Sequence, residues 1–191
     1  MKKAILAGIV GGIILWVWGF FAWVVLPLHK PSMRNISNED VVIEAMQTSI
    51  DAKGVYIFPG RPTDSNPASM EAYTQKYMRG PMGMIIYDPQ GSDPMMVSQM
   101  ISGLIIFILS AVLAAWFLSR STAAASSYFA RVLFCGMLGI FISFFSHLSA
   151  WNWMGFPLDY TTAMMIDNII AWLVAGLGIA AIVKVPKTGT A

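Results

Sequence analysis

The chain has 191 residues, of which 57% are hydrophobic and 12% are charged, and its net charge is +2. About a quarter of the residues of a soluble globular domain are charged, so this composition excludes an ordinary soluble protein and indicates a membrane protein. The single cysteine excludes an intramolecular disulfide, and with it the thiol oxidoreductases that need a pair of cysteines.

Four long apolar segments predict four membrane-spanning helices. Each has the roughly 20 residues that cross about 30 Å of hydrocarbon at about 1.5 Å per residue. The predicted spans are residues 4–26, 97–118, 132–150 and 160–183. We interpret the first as an uncleaved anchor rather than a signal peptide, because it is longer than the apolar region of about 7–15 residues in a signal peptide and no A-x-A site follows it.

The charges between the spans predict the orientation of the chain. Basic residues without any acidic neighbour flank one end of the spans, whereas every acidic residue except Asp167 falls on the other side. Lys and Arg near span ends resist translocation, so both termini and residues 119–131 are expected in the cytoplasm, as in a bacterial inner-membrane protein. The basic residues on that side are Lys2, Lys3, Arg120, Arg131, Lys184 and Lys187.

The segment between the first two spans predicts a small extracytoplasmic α/β domain. Helical and strand patterns alternate there, as residues 38–50, 55–58, 68–78 and 84–87. The helix between the two strands allows a parallel strand pair, because such a crossover needs a dozen or more residues. Asp93 is the expected N-cap and Pro94 the first residue of the helix that enters the second span.

The predicted fold class is therefore a membrane α-helical protein, with four transmembrane helices and a small extracytoplasmic α/β domain inserted between helices 1 and 2. The expected divisions are residues 1–28 for the first helix, 29–93 for the outer domain, 94–184 for helices 2–4 and 185–191 for a short cytoplasmic tail. A domain of about 60 residues without disulfides or metal rarely buries enough surface to be stable alone, so we expect it to rest on the bundle, the membrane or a partner.

Small residues at helical spacing predict where the spans pack. Lipid tails are as apolar as the side chains, so close backbone approach, rather than hydrophobic burial, holds membrane helices together. The same stripes offer faces to other membrane proteins. The predicted packing residues are Gly8, Gly12, Gly136, Gly139, Ala163, Ala171 and Ala175.

Asp167 is the main candidate for a polar site. It continues the line of small residues in the fourth span, about 12 Å along the helix from Asp159. A carboxyl group at that depth must be protonated, paired or hydrated. The sequence suggests His147 as its partner, with Asn168 or Ser143 completing the hydrogen bonds. Such a cluster is either a polar clamp between helices or a site for a proton or ligand.

No motif indicates a bound cofactor. His29 and His147 fall near the outer ends of spans, and a histidine pair with nearby methionines could hold copper or haem. The aromatic residues of the same region could enclose a quinone. None of these patterns is specific, so we predict no metal and no cofactor, and copper, haem and quinone remain alternatives.

The sequence favours a non-catalytic protein. None of the protease, lipase or phosphate-loop motifs occurs, so no catalytic residue is predicted. Acidic residues outnumber basic ones in the outer segment, which argues against nucleic acid as a partner. We predict an accessory or assembly subunit that contacts lipid and either other membrane proteins or copies of itself. The alternative is a binding or transport protein whose polar site for a proton, ion, metal or hydrophobic ligand includes His147 and Asp167.

Overall fold

The computed structural model describes residues 1–121 and 127–184. Residues 122–126 of the predicted cytoplasmic loop, and the predicted tail 185–191 with Lys187, lie outside the described residues. The described chain divides into two compact units. One comprises Met1–Arg34 with the chain from Pro94 onward, and the other is Asn35–Asp93.

The four predicted spans are confirmed as helices long and apolar enough to cross a membrane, so the chain has the architecture of an integral multi-pass membrane protein. The first span is α1 (Lys2–Phe20) continued by a π-helical turn, Phe21–Val25. The second is α4 (Val97–Arg120). The third joins α5 (Tyr128–Ile142), a π-helical segment (Ser143–Leu148) and α6 (Ser149–Met154), and the fourth is α7 (Leu158–Ile182).

The bundle is built on close helix contacts with a core of small side chains. Helix α1 packs against α4 and α7, and α5 packs against α7. Larger side chains fill the gaps, among them Leu118, Trp172 and Ile179. The alanines that are buried in this core are Ala4, Ala7, Ala111, Ala114, Ala115 and Ala175.

Glycines set the separation of the closest helices. A methyl group added at Gly12 would lie 2.6 Å from the backbone nitrogen of Ile108, and one at Gly8 would meet the backbone of Val112. A methyl group at Gly139 would lie 2.8 Å from the carbonyl oxygen of Asn168. The backbones of α1 and α4, and of α5 and α7, are therefore in direct contact at these positions.

The other predicted packing residues also lie on inward or partly inward faces. At Gly136 an added methyl group would meet the side chain of Leu173. Ala175 is fully buried, Ala171 packs against the core, and Ala163 is half-buried.

The unit Asn35–Asp93 contains two helices and two strands. These are α2 (Glu39–Ser49), β1 (Gly54–Phe58), α3 (Pro67–Arg79) and β2 (Gly83–Tyr87). Each lies within about one residue of its predicted range. The side chain of Asn66 accepts a hydrogen bond from the N–H of Ala68, so Asn66 caps α3 and Pro67 occupies its first position.

The suggested parallel pairing of the two strands is wrong. Strands β1 and β2 are antiparallel, with Tyr56 opposite Ile85. Residues 59–66 before the helix can extend about 26 Å, and the 13-residue helix is about 20 Å long. The loop can therefore lead away from the end of β1, and the helix can lead back to it. This path allows β2 to begin beside the end of β1. The helix alone would have returned the chain to the start of β1.

Two predicted boundaries also differ. Helix α4 begins at Val97 rather than at Pro94, because Met96 adopts a left-handed conformation with φ of 52° and interrupts the helix. The expected outer domain 29–93 begins too early, since His29 and the 3₁₀ turn Lys30–Ser32 belong to the unit that contains the spans.

Candidate functional site

A group of polar and aromatic side chains lies at one end of the bundle, where the first span ends and the second begins. The indole N–H of Trp16 donates to the carbonyl oxygen of Met100 there, which ties these two span ends together. Both π-helical segments are at this end, and they carry Trp23 and His147. Widened turns of this kind recur at functional sites in membrane and soluble helices.

Asp167 is held by two side chains, one from the first span and one from the segment that follows it. Trp18 donates its indole N–H to Oδ1 of Asp167, with a donor–acceptor distance of 2.6 Å. Nε2 of His29 lies 3.2 Å from Oδ2 of the same carboxyl group. The side chains of His29 and Asp167 are only 4% and 13% exposed. We call Trp18, His29 and Asp167, together with the ring of Trp23, the Asp167 cluster.

The ring of Trp23 covers His29. The two rings are stacked, with centroids 3.9 Å apart and planes inclined by 18°. Nδ1 of His29 is buried and makes no hydrogen bond with any residue that the structure describes. One nitrogen of this imidazole is thus engaged by a carboxyl group, while the other is a polar atom without a partner in an apolar setting, which is costly.

The predicted partner of Asp167 is therefore wrong. His147 does not bond to Asp167; its Nε2 lies 2.7 Å from Nδ2 of the neighbouring Asn168. Ser143 joins neither pair, because its hydroxyl donates to the carbonyl oxygens of Gly139 and Met165. Asp167 and Asn168 are adjacent on α7 and point about 100° apart around the helix, so they reach different neighbours.

The residues that complete the site could not be assigned from spacing alone. Tryptophans such as Trp18 are expected in the aromatic belt near a membrane surface, whether or not they bond to a polar group. The sequence therefore provides no reason to expect a hydrogen bond from Trp18 to a carboxyl group. His29 follows the first span by only a few residues, so the sequence could place it near the ends of the spans. The sequence could not pair it with Asp167. Nothing in the sequence says that the chain after Val25 folds back onto α7.

The two histidines lie in separate polar pairs. His29 contacts Asp167 and His147 contacts Asn168, so the imidazoles belong to separate pairs. Within residues 1–121 and 127–184, no group of three or more His, Cys, Asp or Glu side chains is arranged to hold a metal ion. Cys135 is buried between α5 and α7, where its Cβ faces Gly176.

One ion pair lies next to this end of the bundle. Arg34 lies 3.3 Å from Asp159, and both side chains are exposed to solvent. This contact links the segment after the first span to the first turn of α7. An exposed ion pair of this kind contributes little to stability.

The unit Asn35–Asp93 has a second notable feature, an apolar sheet face. Val55 lies opposite Ile86, and Ile57 lies opposite Met84. Alternation along the strands places these four side chains on one side of the sheet. All four are exposed, Ile86 to 80% and Ile57 to 69%. An apolar groove of about 620 Å³ lies between α2 and β2 in the same unit.

One ion pair lies at the end of this sheet where β1 begins and β2 ends. Nζ of Lys53 lies 2.6 Å from Oδ2 of Asp88, next to the first strand pair. The hydrogen bond from Lys53, with a second from the backbone N–H of Gln90, lowers the pKa of Asp88 below its ordinary value of 3.8.

Comparison with protein-family models, with characterised proteins and with solved structures finds no match to this chain. The Asp167 cluster and the apolar sheet face are therefore the two features that bear on function.

Proposed function

We propose that this protein is a non-catalytic accessory or assembly subunit of a larger membrane complex, and that a second protein covers the apolar sheet face. One observation carries the proposal. The structure describes all of residues 35–93, and none of their side chains is buried. The unit forms regular helices and strands but has no core of its own.

Burial of apolar surface is the main source of stability in a small domain. A unit of this size without a buried side chain, a disulfide or a metal is usually completed by another surface. The four side chains of the apolar sheet face form a contiguous patch, and such patches mark interaction sites.

Site-specific photocrosslinking in native membranes tests this proposal. A photoreactive side chain at Ile57 or Ile86 should give one discrete product with a second protein. The same group at Ser65, an exposed polar position in the unit, should give none. Products with lipid alone, or crosslinks within the chain, would show that the membrane or the bundle covers the face, and the subunit proposal would then be abandoned.

We further propose that the termini lie in the cytoplasm of a bacterial cell and that Asn35–Asp93 lies outside the inner membrane. The support is the sorting of charge at the span ends. Arg131 donates to the carbonyl oxygen of Ala180, so the basic start of α5 lies beside the end of α7, near Lys184. Basic residues near span ends favour the cytoplasmic side.

Membrane-impermeant labelling tests this orientation. In a Cys135→Ala background, a cysteine at Ser65 should react with an impermeant maleimide in intact cells. A fluorescent protein fused after Ala191 should fluoresce, because that reporter folds in the cytoplasm. The reverse pattern at both positions would invert the orientation, and any mixed pattern would contradict three spans between residues 65 and 191.

A second candidate function is favoured by the burial of Asp167. A carboxyl group paired with an imidazole inside the bundle suits a proton or ligand site as well as it suits a helix clamp. Proteoliposomes that contain a pH-sensitive dye distinguish the two. A proton relay requires flux that Asp167→Asn abolishes and Asp159→Asn preserves. A clamp predicts no flux above protein-free vesicles, and only a loss of stability on Asp167→Asn.

A further inference from the structure

An apolar groove of about 380 Å³ lies between the start of α1 and the end of α4. Both helices are long and apolar enough to cross a membrane, so the groove opens toward acyl chains. Three of its side chains, Ile5, Leu113 and Trp116, are exposed, so the groove belongs to the surface of the bundle rather than to its core. The side chains that line it are Met1, Ala4, Ile5, Val112, Leu113 and Trp116.

Lys2 borders the α1 wall of this groove. Gly8 faces the backbone of Val112 and Gly12 faces that of Ile108, so α1 and α4 run antiparallel. The same register places Lys2 level with the last turn of α4, within about 3 Å of Arg120 along the bundle axis. Around α1, Lys2 lies about 60° from the groove residue Ile5.

Arg120 borders the opposite wall. It follows the groove residue Trp116 by one turn of α4, and its guanidinium carbon lies 5.7 Å from the centre of the Trp116 ring. Arg120 is exposed and forms no ion pair with any residue in 1–121 or 127–184. The sequence has no Asp or Glu in residues 1–38, 94–158 or 168–191, so the segments that form this end of the bundle carry no acidic side chain.

We propose that this groove binds an anionic phospholipid. One acyl chain lies against Ile5, Leu113 and Trp116, and the phosphate group pairs with Arg120 and Lys2. Guanidinium groups bind phosphate through two parallel hydrogen bonds, and basic pockets between membrane helices bind anionic headgroups. Trp116 lies about 6 Å deeper than Arg120, which suits a tryptophan at the boundary between headgroups and hydrocarbon.

Charge complementarity selects this occupant. A zwitterionic lipid would fill the apolar walls equally well, but it would bring its own cation close to Arg120 and Lys2. A second copy of this chain, inserted in the same direction, would place its own basic residues at this depth and repel them. A helix of another protein would have to supply carboxylates to the buried charges. Free phosphate would leave the apolar walls unused.

This inference goes beyond the proposed function. It requires neither a partner at the apolar sheet face nor a particular orientation of the chain, because it depends only on contacts within the unit that contains the spans.

Fluorescence quenching of Trp116 in lipid nanodiscs tests the proposal. The full chain is placed in discs of phosphatidylcholine that contain a small, varied fraction of a lipid brominated in the upper part of its acyl chains. The brominated lipid is either phosphatidylglycerol or phosphatidylcholine with identical chains. Bromine quenches tryptophan only at close range, and subtraction of the signal of Trp116→Phe isolates Trp116 from the other tryptophans. Half-maximal quenching should require a smaller fraction of phosphatidylglycerol than of phosphatidylcholine.

Removal of either charge should weaken this preference. Each basic residue near a membrane surface contributes a factor of about five to the binding of anionic lipid, so Lys2→Gln and Arg120→Gln should each reduce the preference about fivefold. If Arg120→Gln does not accumulate, Lys2→Gln carries the test alone.

Lys3→Gln is the matched control, because it removes the same charge from the next residue of α1. Lys3 points to within about 20° of Val10, whose side chain lies beside Gly178 of α7, on a different side of α1 from the groove. Its replacement should leave the preference unchanged.

Stronger quenching by phosphatidylglycerol that Lys2→Gln weakens and Lys3→Gln preserves supports the site. Equal quenching by the two brominated lipids would overturn it, because the groove would then be filled without regard to charge. Absence of quenching by either lipid would mean that protein covers the groove, and equal losses in Lys2→Gln and Lys3→Gln would mean a diffuse surface charge. Both results would also overturn the proposal.

Discussion

Asp167 uses both of its carboxyl oxygens inside the bundle, and each oxygen contacts a different type of polar side chain. The indole of Trp18 is a permanent donor, because its N–H has no ordinary acid–base chemistry. The imidazole of His29 can donate or accept. The geometry therefore fixes the carboxyl group through Trp18 and leaves proton placement to the bond with His29.

Trp18→Phe should destabilise the bundle by about 1–3 kcal/mol, the cost of leaving a buried acceptor unsatisfied. Phenylalanine keeps most of the ring packing and removes only the N–H. The matched control is Trp16→Phe, because Trp16 donates to the exposed carbonyl oxygen of Met100, which keeps the intrahelical hydrogen bond of α4. That control should cost less than about 0.5 kcal/mol. Reversible unfolding in mixed detergent micelles measures both, and equal losses would contradict the assigned role of Trp18.

The Lys53–Asp88 pair predicts a pH dependence in the smaller unit. Because the pKa of Asp88 is lowered in the folded protein, the pair stabilises the fold above the ordinary value of 3.8 and loses this effect as the pH falls below it. Lys53→Gln should raise the pKa of Asp88 toward 3.8. Lys76→Gln removes the same charge from α3 and should leave Asp88 unchanged. Titration of ¹³C-labelled aspartate carboxyl groups in the full chain follows both, and equal shifts in the two variants would contradict a specific contact.

At the scale of single helices, the glycines of α1 carry the closest contact in the bundle. Gly8 and Gly12 both face the backbone of α4, whereas Gly103, which lies within α4, has open space where a side chain would begin. The two kinds of glycine have the same helix propensity cost, so a comparison between them isolates packing from backbone entropy.

Gly12→Ala should destabilise the protein by about 1–3 kcal/mol, because the added methyl group forces the backbones of α1 and α4 apart. Gly103→Ala should be neutral or slightly stabilising, since alanine is the better helix former. The same detergent unfolding measurement distinguishes them. If Gly103→Ala were as destabilising as Gly12→Ala, the close approach of α1 and α4 at Gly12 would be wrong.

The spans could be predicted from sequence because hydropathy acts over about 20 residues and needs no knowledge of neighbours. The third span shows the limit of that signal. It runs from Tyr128 to Met154, longer than the predicted 132–150, because Ser127 caps its start and Gly155, with φ of 73°, ends it. Polar and aromatic residues extend the helix beyond its apolar segment.

The direction of the second strand could not be predicted, because it depends on the path of residues 59–66 rather than on any local propensity. The partner of Asp167 was missed for a related reason. Residue spacing places side chains on one helix, but it does not give the rotation of that helix against its neighbours. Adjacent residues on α7 point about 100° apart around the helix axis. Asn168 therefore contacts His147, whereas Asp167 contacts His29.

At the scale of the whole molecule, the two units are stabilised in different ways. The unit that contains the spans has a continuous buried core of alanines and a few large side chains. The unit Asn35–Asp93 has regular secondary structure and exposed apolar side chains without a core. In the proposed assembly, the first unit provides the anchor and the second provides the surface that recognises a partner.

Ile57→Ser combined with Ile86→Ser should therefore separate binding from stability. Both side chains are more than two-thirds exposed, so their replacement should change the unfolding free energy of the isolated chain by less than about 0.5 kcal/mol per site. If a partner covers them, the loss of two central apolar contacts should reduce co-purification from mild detergent at least about tenfold.

Met78→Ser is the matched control, because Met78 is 81% exposed in the same unit but lies on α3, outside the sheet. Unfolding and co-purification are measured on the same preparations. Reduced stability with unchanged co-purification would mean that the face is covered within the chain itself, and the assignment of a partner to it would then be wrong.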